Sequence, residues 1–461
     1  MSSSYDVVVV GGGPGGYVAA IKASQLGFKT AIIEKENLGG VCLNWGCIPT
    51  KALLRTAEIK HLMDRAAEFG LSLETPVKVD IKKVVERSRG IASQLSSGIS
   101  YLLKKNKITH ISGYAKLEGN GKLSIDDKKT IEAKHIILAV GAKPRYLSGF
   151  EADGELIWNA RHAMTPESLP KSLLVIGSGA IGIEFACFYN TLGVEVSVVE
   201  LQDRILPQED VEISRFAQKS LEKQGIKFYL SSTIDKCERL EKGAKITLKT
   251  LKGSKELEVE KIITAVGIVG NTQNIGLEKT AIKLEKNQIV TDVWCQTDEK
   301  GIYAIGDVTK GPWLAHKASH EAILCVEKIA GLTPHPLDIT SIPGCTYSFP
   351  QIASVGLTED KAKELGKKIK VGRFSFKANG KALALGEPEG LIKTIFDETT
   401  GELLGAHLVG AEVTEMIQGF VLAKNLETTE AEIMHTIFPH PTLSEMMHEA
   451  TLDAFGKAIH A

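Results

Sequence analysis

The sequence predicts an α/β chain: a duplicated strand–helix–strand unit, followed by an α+β C-terminal part. Three observations carry this. Two glycine-rich turns recur in one register, two apolar strands close the two units, and the last ~115 residues change to alternating strands and helices.

The first unit is YDVVVVGGGPGGYVAAIKASQLGFKTAIIE (5–34), and the second is LLVIGSGAIGIEFACFYNTLGVEVSVVE (173–200). Gly11, Gly13 and Gly16 match Gly177, Gly179 and Gly182, Leu26-Gly27 matches Leu192-Gly193, and Glu34 matches Glu200, every pair 166 positions apart. A short apolar run enters a glycine turn, helical spacing follows, and a second apolar run ends in an acid. This is the βαβ dinucleotide fingerprint. Its first glycine makes the turn, the second admits the pyrophosphate, the third lets helix pack on strand, and the acid takes a ribose hydroxyl. A lone fingerprint is weak evidence, whereas two in register with complete context are strong.

Each unit closes on a similar strand, HIILAVGAKPR (135–145) and KIITAVGIVGN (261–271). Residues near 106–135 and 245–262 read as antiparallel strands and turns inserted before those closers. A mixed segment from about 274 to 343 holds GIYAIGDV (301–308) and a helical stretch at 315–331. Pro334, Pro336 and Pro343 mark its end. Beyond it, VGRFSF, GLIKTIF and GELLGAHLVG read as strands between helices.

At 461 residues the chain is too long for one core, and ~150 residues per domain suggests about three. The net charge of −1 gives no reason to expect nucleic acid or an acidic membrane as partner. The apolar run Val7–Val10 falls far short of the ~20 residues of a membrane span, and MSSSYDVVVV has no basic region of the signal-peptide type. A cytoplasmic location is expected.

Seven cysteines, an odd and mostly scattered set, do not make a secreted disulfide framework. Cys187, Cys237, Cys295, Cys325 and Cys345 read as structural thiols. Cys42 and Cys47, in GGVCLNWGCIPTK (39–51), differ by sitting just after the first fingerprint. A thiol pair there suggests a disulfide made and broken in turnover, and the absence of a second ligand pair argues against metal. In a regular helix the two would be about 7.5 Å apart along the axis, too far for a bridge, so a distorted turn is needed; Gly46 and Pro49 permit one.

Together these motifs and HPTLSE (440–445) resemble the pyridine nucleotide–disulfide oxidoreductases, over essentially the whole chain and in order. The resemblance implies two Rossmann-like dinucleotide-binding domains, 1–148 for FAD with the redox disulfide and 149–273 for NAD. It adds a central domain, 274–343, completing the FAD site, and an α+β C-terminal dimerisation (interface) domain, 344–461. One tightly, non-covalently bound FAD per subunit is implied, held by Gly11, Gly13, Gly16, Glu34, Lys51, Ala115, Asp307 and Ala315. Asp307 would bind the ribitol chain, and the helix from Ala315 would point its positive end at the flavin ring. For NAD+ as co-substrate the implied residues are Gly177, Gly179, Ile181, Gly182, Glu184, Glu200 and Gly267, with Glu184 pairing Lys51 near the flavin. Glu200 favours NAD over NADP, because it would repel a 2′-phosphate; Arg204, four residues on, also fits a plain surface role.

Cys42 is implied to exchange with substrate and Cys47 to face the flavin, with His440 as base and Glu445 as its orienter. His440 lies about 400 residues from Cys42, which the family solves with a homodimer. CLNWGCIPTK favours the lipoyl branch, which reoxidises protein-bound dihydrolipoamide; the partners implied are lipoyl-bearing carrier domains and the acyltransferase core of 2-oxo acid dehydrogenase complexes, or the glycine-cleavage system. A reductase of another small disulfide is the near alternative. A scaffold or sensor flavoprotein is the distant one. GIVGN (267–271), Gln351 and AVG at 139–141 depart from common family forms without touching the chemistry.

Overall fold

The computed structural model describes residues 3–460. The chain forms two compact units. One comprises the chain up to Ala52 with Lys83–Arg145 and Gly267–Ile339; the other comprises Leu53–Lys82, Tyr146–Val266 and the chain from Thr340.

In the first unit the run Val7–Val10 is buried throughout, as a strand covered on both faces requires. Strand Ser3–Val10 lies between Thr30–Glu34 and Lys129–Leu138, parallel to both. Successive side chains alternate between faces. Val7 and Val9 pack with Ala19, Ala20 and Ala23 of helix Pro14–Gln25 and with Ala322 and Val326 of helix Ala315–Ile329. Val8 and Val10 pack with Leu117 and Leu123 from the opposite face. Each such valine contributes about 1.5–3 kcal/mol through burial.

The inserted segment differs in part from its sequence reading. Strands Ala115–Gly119 and Lys122–Ile125 are antiparallel as expected, but Thr109–Ser112 pairs parallel with Thr30–Glu34. The 25-residue helix Ile81–Lys105 supplies the crossover that a parallel return needs. Ile302–Ala304, from the segment expected to be central, adds parallel to Lys129–Leu138.

The second unit holds the repeat of the βαβ pattern. Ser172–Ile176 lies between Glu195–Val199 and Lys261–Thr264, all parallel, and Lys227–Tyr229 and Ile157–Trp158 extend the edges. Thr233–Arg239, Ala244–Thr250 and Gly253–Val259 form an antiparallel sheet. The C-terminal part is α+β: a five-stranded antiparallel sheet ordered Gly344–Thr346, Gln351–Gly356, Leu403–Gly410, Leu391–Asp397, Ile369–Ser375. Helices Val413–Asn425 and Glu445–Ala454 pack on it through Met416, Phe420, Met446 and Ala450. Among the described residues no helix is long and apolar enough to cross a membrane.

A polar row crosses that last sheet. Ser354, His407, Lys393 and Arg373 are successive cross-strand partners and so share a face. Buried Lys393 bonds Asp210 at 2.9 Å and Glu359 at 2.7 Å, while Arg373 bonds Glu212. Asp210 also caps helix Val211–Lys223, so this network ties the second βαβ region to the C-terminal sheet. Burial lowers the basicity of His407, whose Nε2 lies 2.9 Å from Leu357 O.

Next to this row, burial pushes the Glu209 carboxyl from 4.5 up to about 7 against the pull of a bond from Ser354, and one of its oxygens has no partner. Because the folded value is the higher, the proton stabilises the fold at low pH, and that stabilisation is lost as pH rises from about 4.5 through 7. Glu209→Gln removes the slope. Denaturant unfolding at pH 5 and pH 8 should show the variant gaining on wild type by on the order of 2 kcal/mol. Parallel pH profiles would exclude this account.

Candidate active site

The site in the first unit grows from one turn. Gly11 has φ +105°, and a Cβ on it would meet Ala139 O at 2.2 Å. A Cβ on Gly16 would lie 1.9 Å from Gly11 O, so helix and strand approach as only glycine allows. Gly13 precedes the helix in extended conformation and Pro14 opens it. Free helix-end N–H groups on a surface without side chains fit a pyrophosphate.

Glu34 braces that turn. Its Oε2 accepts Gly12 N–H at 2.6 Å and its Oε1 accepts Glu36 N–H at 2.7 Å. In the second unit, Glu200 Oε2 accepts Ser178 N–H and Oγ–H, each at 2.8 Å, and Oε1 accepts Gln202 N–H at 2.9 Å. Carboxylate oxygens have two lone pairs each, so both acids keep capacity for a ribose hydroxyl. The second turn copies the first: Gly177 has φ +98°, Gly179 precedes helix Ala180–Thr191, and a Cβ on Gly182 would meet Gly177 O at 2.1 Å.

The cysteine segment is built onto the first turn. Gly39 N–H donates to Gly12 O at 2.8 Å, and a Cβ on Gly40 would meet Gly13 Cα at 2.7 Å. Helix Gly40–Trp45 carries Cys42, the chain breaks at Gly46, and helix Cys47–Asp64 begins at the second cysteine. The distortion expected for a bridge lies at Gly46. Pro49 instead sits inside the first turn of the second helix, where its missing N–H costs nothing. Both sulfurs are thiols here, joined by a hydrogen bond. That bond, burial and the charge of Cys47 push the Cys42 thiol far up, opposed by the Lys51 ammonium.

Asp307, in the short turn Gly306–Val308, also acts on Cys42 electrostatically, so Cys42, Cys47, Lys51 and Asp307 form one cluster. Burial raises the Asp307 carboxyl, with Lys317 opposing. Ala315 opens helix Ala315–Ile329, and buried Ala115 opens strand Ala115–Gly119.

Two features here escape the sequence reading. Tyr17 is close enough to Cys42 for the thiol's charge to raise its phenol, after burial. Buried Lys317 bonds Glu321 at 2.7 Å and Lys310 O at 2.8 Å, and Glu321 accepts Gly306 N–H at 2.7 Å. Together they hold the turn bearing Asp307. Their i,i+4 Lys/Glu spacing in AHKASHE was the available signal.

In the second unit Ile181 is 46% exposed on its helix, whereas Glu184 is buried and accepts Tyr347 N–H at 3.0 Å. Arg204 bonds Asp203 and Pro207 O. Gly267, read from sequence with the NAD residues, falls in the first unit, where its carbonyl accepts Arg145 N–H. His440 Nδ1 and Glu445 Oε1 are 2.8 Å apart, and Glu445 Oε2 accepts Thr442 N–H at 2.9 Å. Burial works to raise the Glu445 carboxyl, but Thr442, His440 and His460 outweigh it and hold it below its ordinary value. This dyad lies in the second unit and the thiol pair in the first.

A thiol pair built onto one dinucleotide turn, a second such turn, and a His–Glu dyad define a nucleotide-linked dithiol oxidoreductase. Family models agree: residues 5–322 match pyridine nucleotide-disulphide oxidoreductase and 342–451 match its dimerisation domain. The chain belongs to the pyridine nucleotide-disulphide oxidoreductases. It is 55% identical to the dihydrolipoyl dehydrogenase of Rhizobium etli and 44% to that of Bacillus subtilis, over all of this chain and of each relative. The crystal structure of LpdA from Mycobacterium tuberculosis superposes with a TM-score of 0.90 at 26% identity, covering 97% of this chain and 99% of that one. The HOCl-induced flavoprotein disulfide reductase RclA from Escherichia coli gives 0.87 at 25%, with coverage of 97% and 99%.

Since Glu445 is held below its ordinary value, it stays ionised from neutral pH down past 4.5 and can stabilise an imidazolium throughout. Glu445→Gln keeps an acceptor but loses the charge. Its dithiol turnover at pH 7 should fall roughly 10²-fold, measured by steady-state kinetics; a loss below about threefold would remove Glu445 from the dyad.

Proposed function

We propose that this chain is a dihydrolipoyl dehydrogenase: it reoxidises protein-bound dihydrolipoamide to lipoamide, with FAD as resident cofactor and NAD+ as acceptor. The observation that carries this is the Cys42–Cys47 pair built directly onto the Gly11–Gly16 turn. The names of its full-length relatives support the choice of substrate.

Gly11, Gly13, Gly16, Glu34, Lys51, Ala115, Asp307 and Ala315 would hold FAD; Gly177, Gly179, Ile181, Gly182, Glu184, Glu200 and Gly267 are assigned to NAD. FAD, when bound there, would supply the two-electron carrier between the cysteines and NAD+. The functional segments remain those inferred from sequence, 1–148, 149–273, 274–343 and 344–461.

The chain's own residues perform the sulfur and proton steps. A substrate thiolate attacks Cys42 of the disulfide, forming a mixed disulfide and releasing Cys47 as thiolate. The second substrate thiol then displaces Cys42, so the substrate leaves as disulfide and the cysteines as dithiol. His440 takes the proton of each attacking thiol and passes it to a released cysteine sulfur before the next attack, and Glu445 holds the ring by Nδ1 so that Nε2 faces the thiol. Lys51 favours the ionised form of the pair.

His440 is 79% exposed, which suits a base completed by a second copy of the chain. In the homodimer, His440 of the partner subunit serves each disulfide. Ile437, 94% exposed three residues before it, is apolar surface that such a partner would cover. The same reading places the protein in the cytoplasm, serving the lipoyl-bearing carrier domains and acyltransferase core of a 2-oxo acid dehydrogenase complex. Glu200, bonded to its own turn, would set a carboxylate against a 2′-phosphate, favouring NAD over NADP.

Steady-state turnover decides between the branches. Dihydrolipoamide with NAD+ should exceed glutathione disulfide with NADPH by at least roughly 10²-fold in kcat/KM. Cys42→Ser and Cys47→Ser should each fold, retain flavin and lose lipoyl turnover. Wild-type rates in either serine variant would end this reading.

A further inference from the structure

One helix holds the cysteine segment from behind. From Ile81–Lys105, Ser96 Oγ donates to Leu38 O at 2.8 Å, Arg89 Nη1 donates to Asn44 O, and Arg87 Nη1 donates to Ala52 O at 3.1 Å. The first and third contacts lie outside the cysteine pair. Only the Arg89 contact falls between Cys42 and Cys47.

There it meets a specific need. Helix Gly40–Trp45 ends at Gly46, so the Asn44 carbonyl stands in its last turn without a helical partner. The Arg89 guanidinium supplies an N–H to that carbonyl, and a cation suits a helix C-terminus. Its plane also lies over the Trp45 ring, 4.0 Å from the centroid. Asn44 is itself buried, its Nδ2 donating to Leu38 O at 3.0 Å and Gly40 O at 2.9 Å. The residues joining the two cysteines are thus held from both sides.

We infer that Arg89, stacked on Trp45, is a positioning residue that sets the dithiol–disulfide equilibrium of Cys42 and Cys47. This deepens the proposed function and rests on the pair being its redox centre. In the reduced form nothing covalent keeps the sulfurs together, so their hydrogen-bond contact depends on the connecting segment staying in place. Loosening that segment gives the dithiol form conformational freedom that the bridged form cannot share. The effective concentration of one thiol at the other falls, and the disulfide becomes easier to reduce. Arg89 is assigned to position because its contacts are with Asn44 O and the Trp45 ring, in the segment that joins the two cysteines. Lysine could reach the carbonyl but could not stack as a plane, so it is only a partial substitute.

The test equilibrates the holoenzyme across poised glutathione mixtures, traps thiols by alkylation, and counts them by mass spectrometry while the flavin spectrum is followed. Arg89→Met should raise the reduction equilibrium constant of the Cys42–Cys47 bridge about tenfold, a potential ~30 mV less negative. Trp45→Leu and Arg89→Lys should fall between that and wild type. Arg87→Met loses a contact outside the pair and should stay within about twofold of wild type, whatever its melting temperature. The inference fails if Arg89→Met and Trp45→Leu both leave the equilibrium within about twofold of wild type, or if Arg87→Met shifts it as far as Arg89→Met does. If the wild type forms no Cys42–Cys47 bridge in any mixture, the proposed function itself falls.

Discussion

The first unit depends on backbone meeting backbone where no side chain fits. Gly39 gives its N–H to Gly12 O, and Gly40 passes so close to Gly13 that a Cβ would overlap it. The turn shaped for a pyrophosphate and the helix bearing Cys42 are therefore one rigid element. From this contact follow the neighbours of the thiols: Tyr17 from the fingerprint helix, Lys51 one turn past Cys47, and Asp307 on the turn that Lys317 and Glu321 secure. A substitution at Gly40 would disturb the glycine turn and the thiol pair together.

The two acids that end the repeats illustrate how one side chain serves fold and ligand. Sequence reading gives Glu34 and Glu200 to ribose. In the folded chain each also takes the N–H of the second residue of its own glycine turn, Gly12 or Ser178, and the N–H of the residue two positions after itself. The turn is thereby preorganised, and a ligand hydroxyl would join a carboxylate already fixed in direction. Binding a nucleotide costs less when its acceptor needs no reordering.

What the sequence disclosed is what chemistry forces into short, fixed spacings. The turns at Gly11, Gly13 and Gly16 and at Gly177, Gly179 and Gly182, the Cys42–Cys47 contact and the His440–Glu445 contact all close over a few residues, so their geometry is written locally. What escaped depends on pairings across the chain. Thr109–Ser112 looked like part of an antiparallel insertion because only the long helix before it reveals a parallel return. The row Ser354–His407–Lys393–Arg373 joins four strands, and the acids facing it come from around residue 210 and from Glu359. Arg89 is one charge in a charged helix until Asn44 and Trp45 are placed beneath it.

The His440–Glu445 dyad shows why local legibility is enough for part of a candidate site. Glu445 begins helix Glu445–Ala454, and its Oε2 takes the Thr442 N–H while Oε1 takes the ring. Both contacts close within six residues, so the imidazole is oriented before anything docks on it. A base 79% exposed would otherwise pivot freely in water. Fixing Nδ1 on a carboxylate that stays ionised leaves Nε2 as the one proton-exchanging atom, aimed outward. The orienting bond is thus the chain's own, closed between His440 and Glu445.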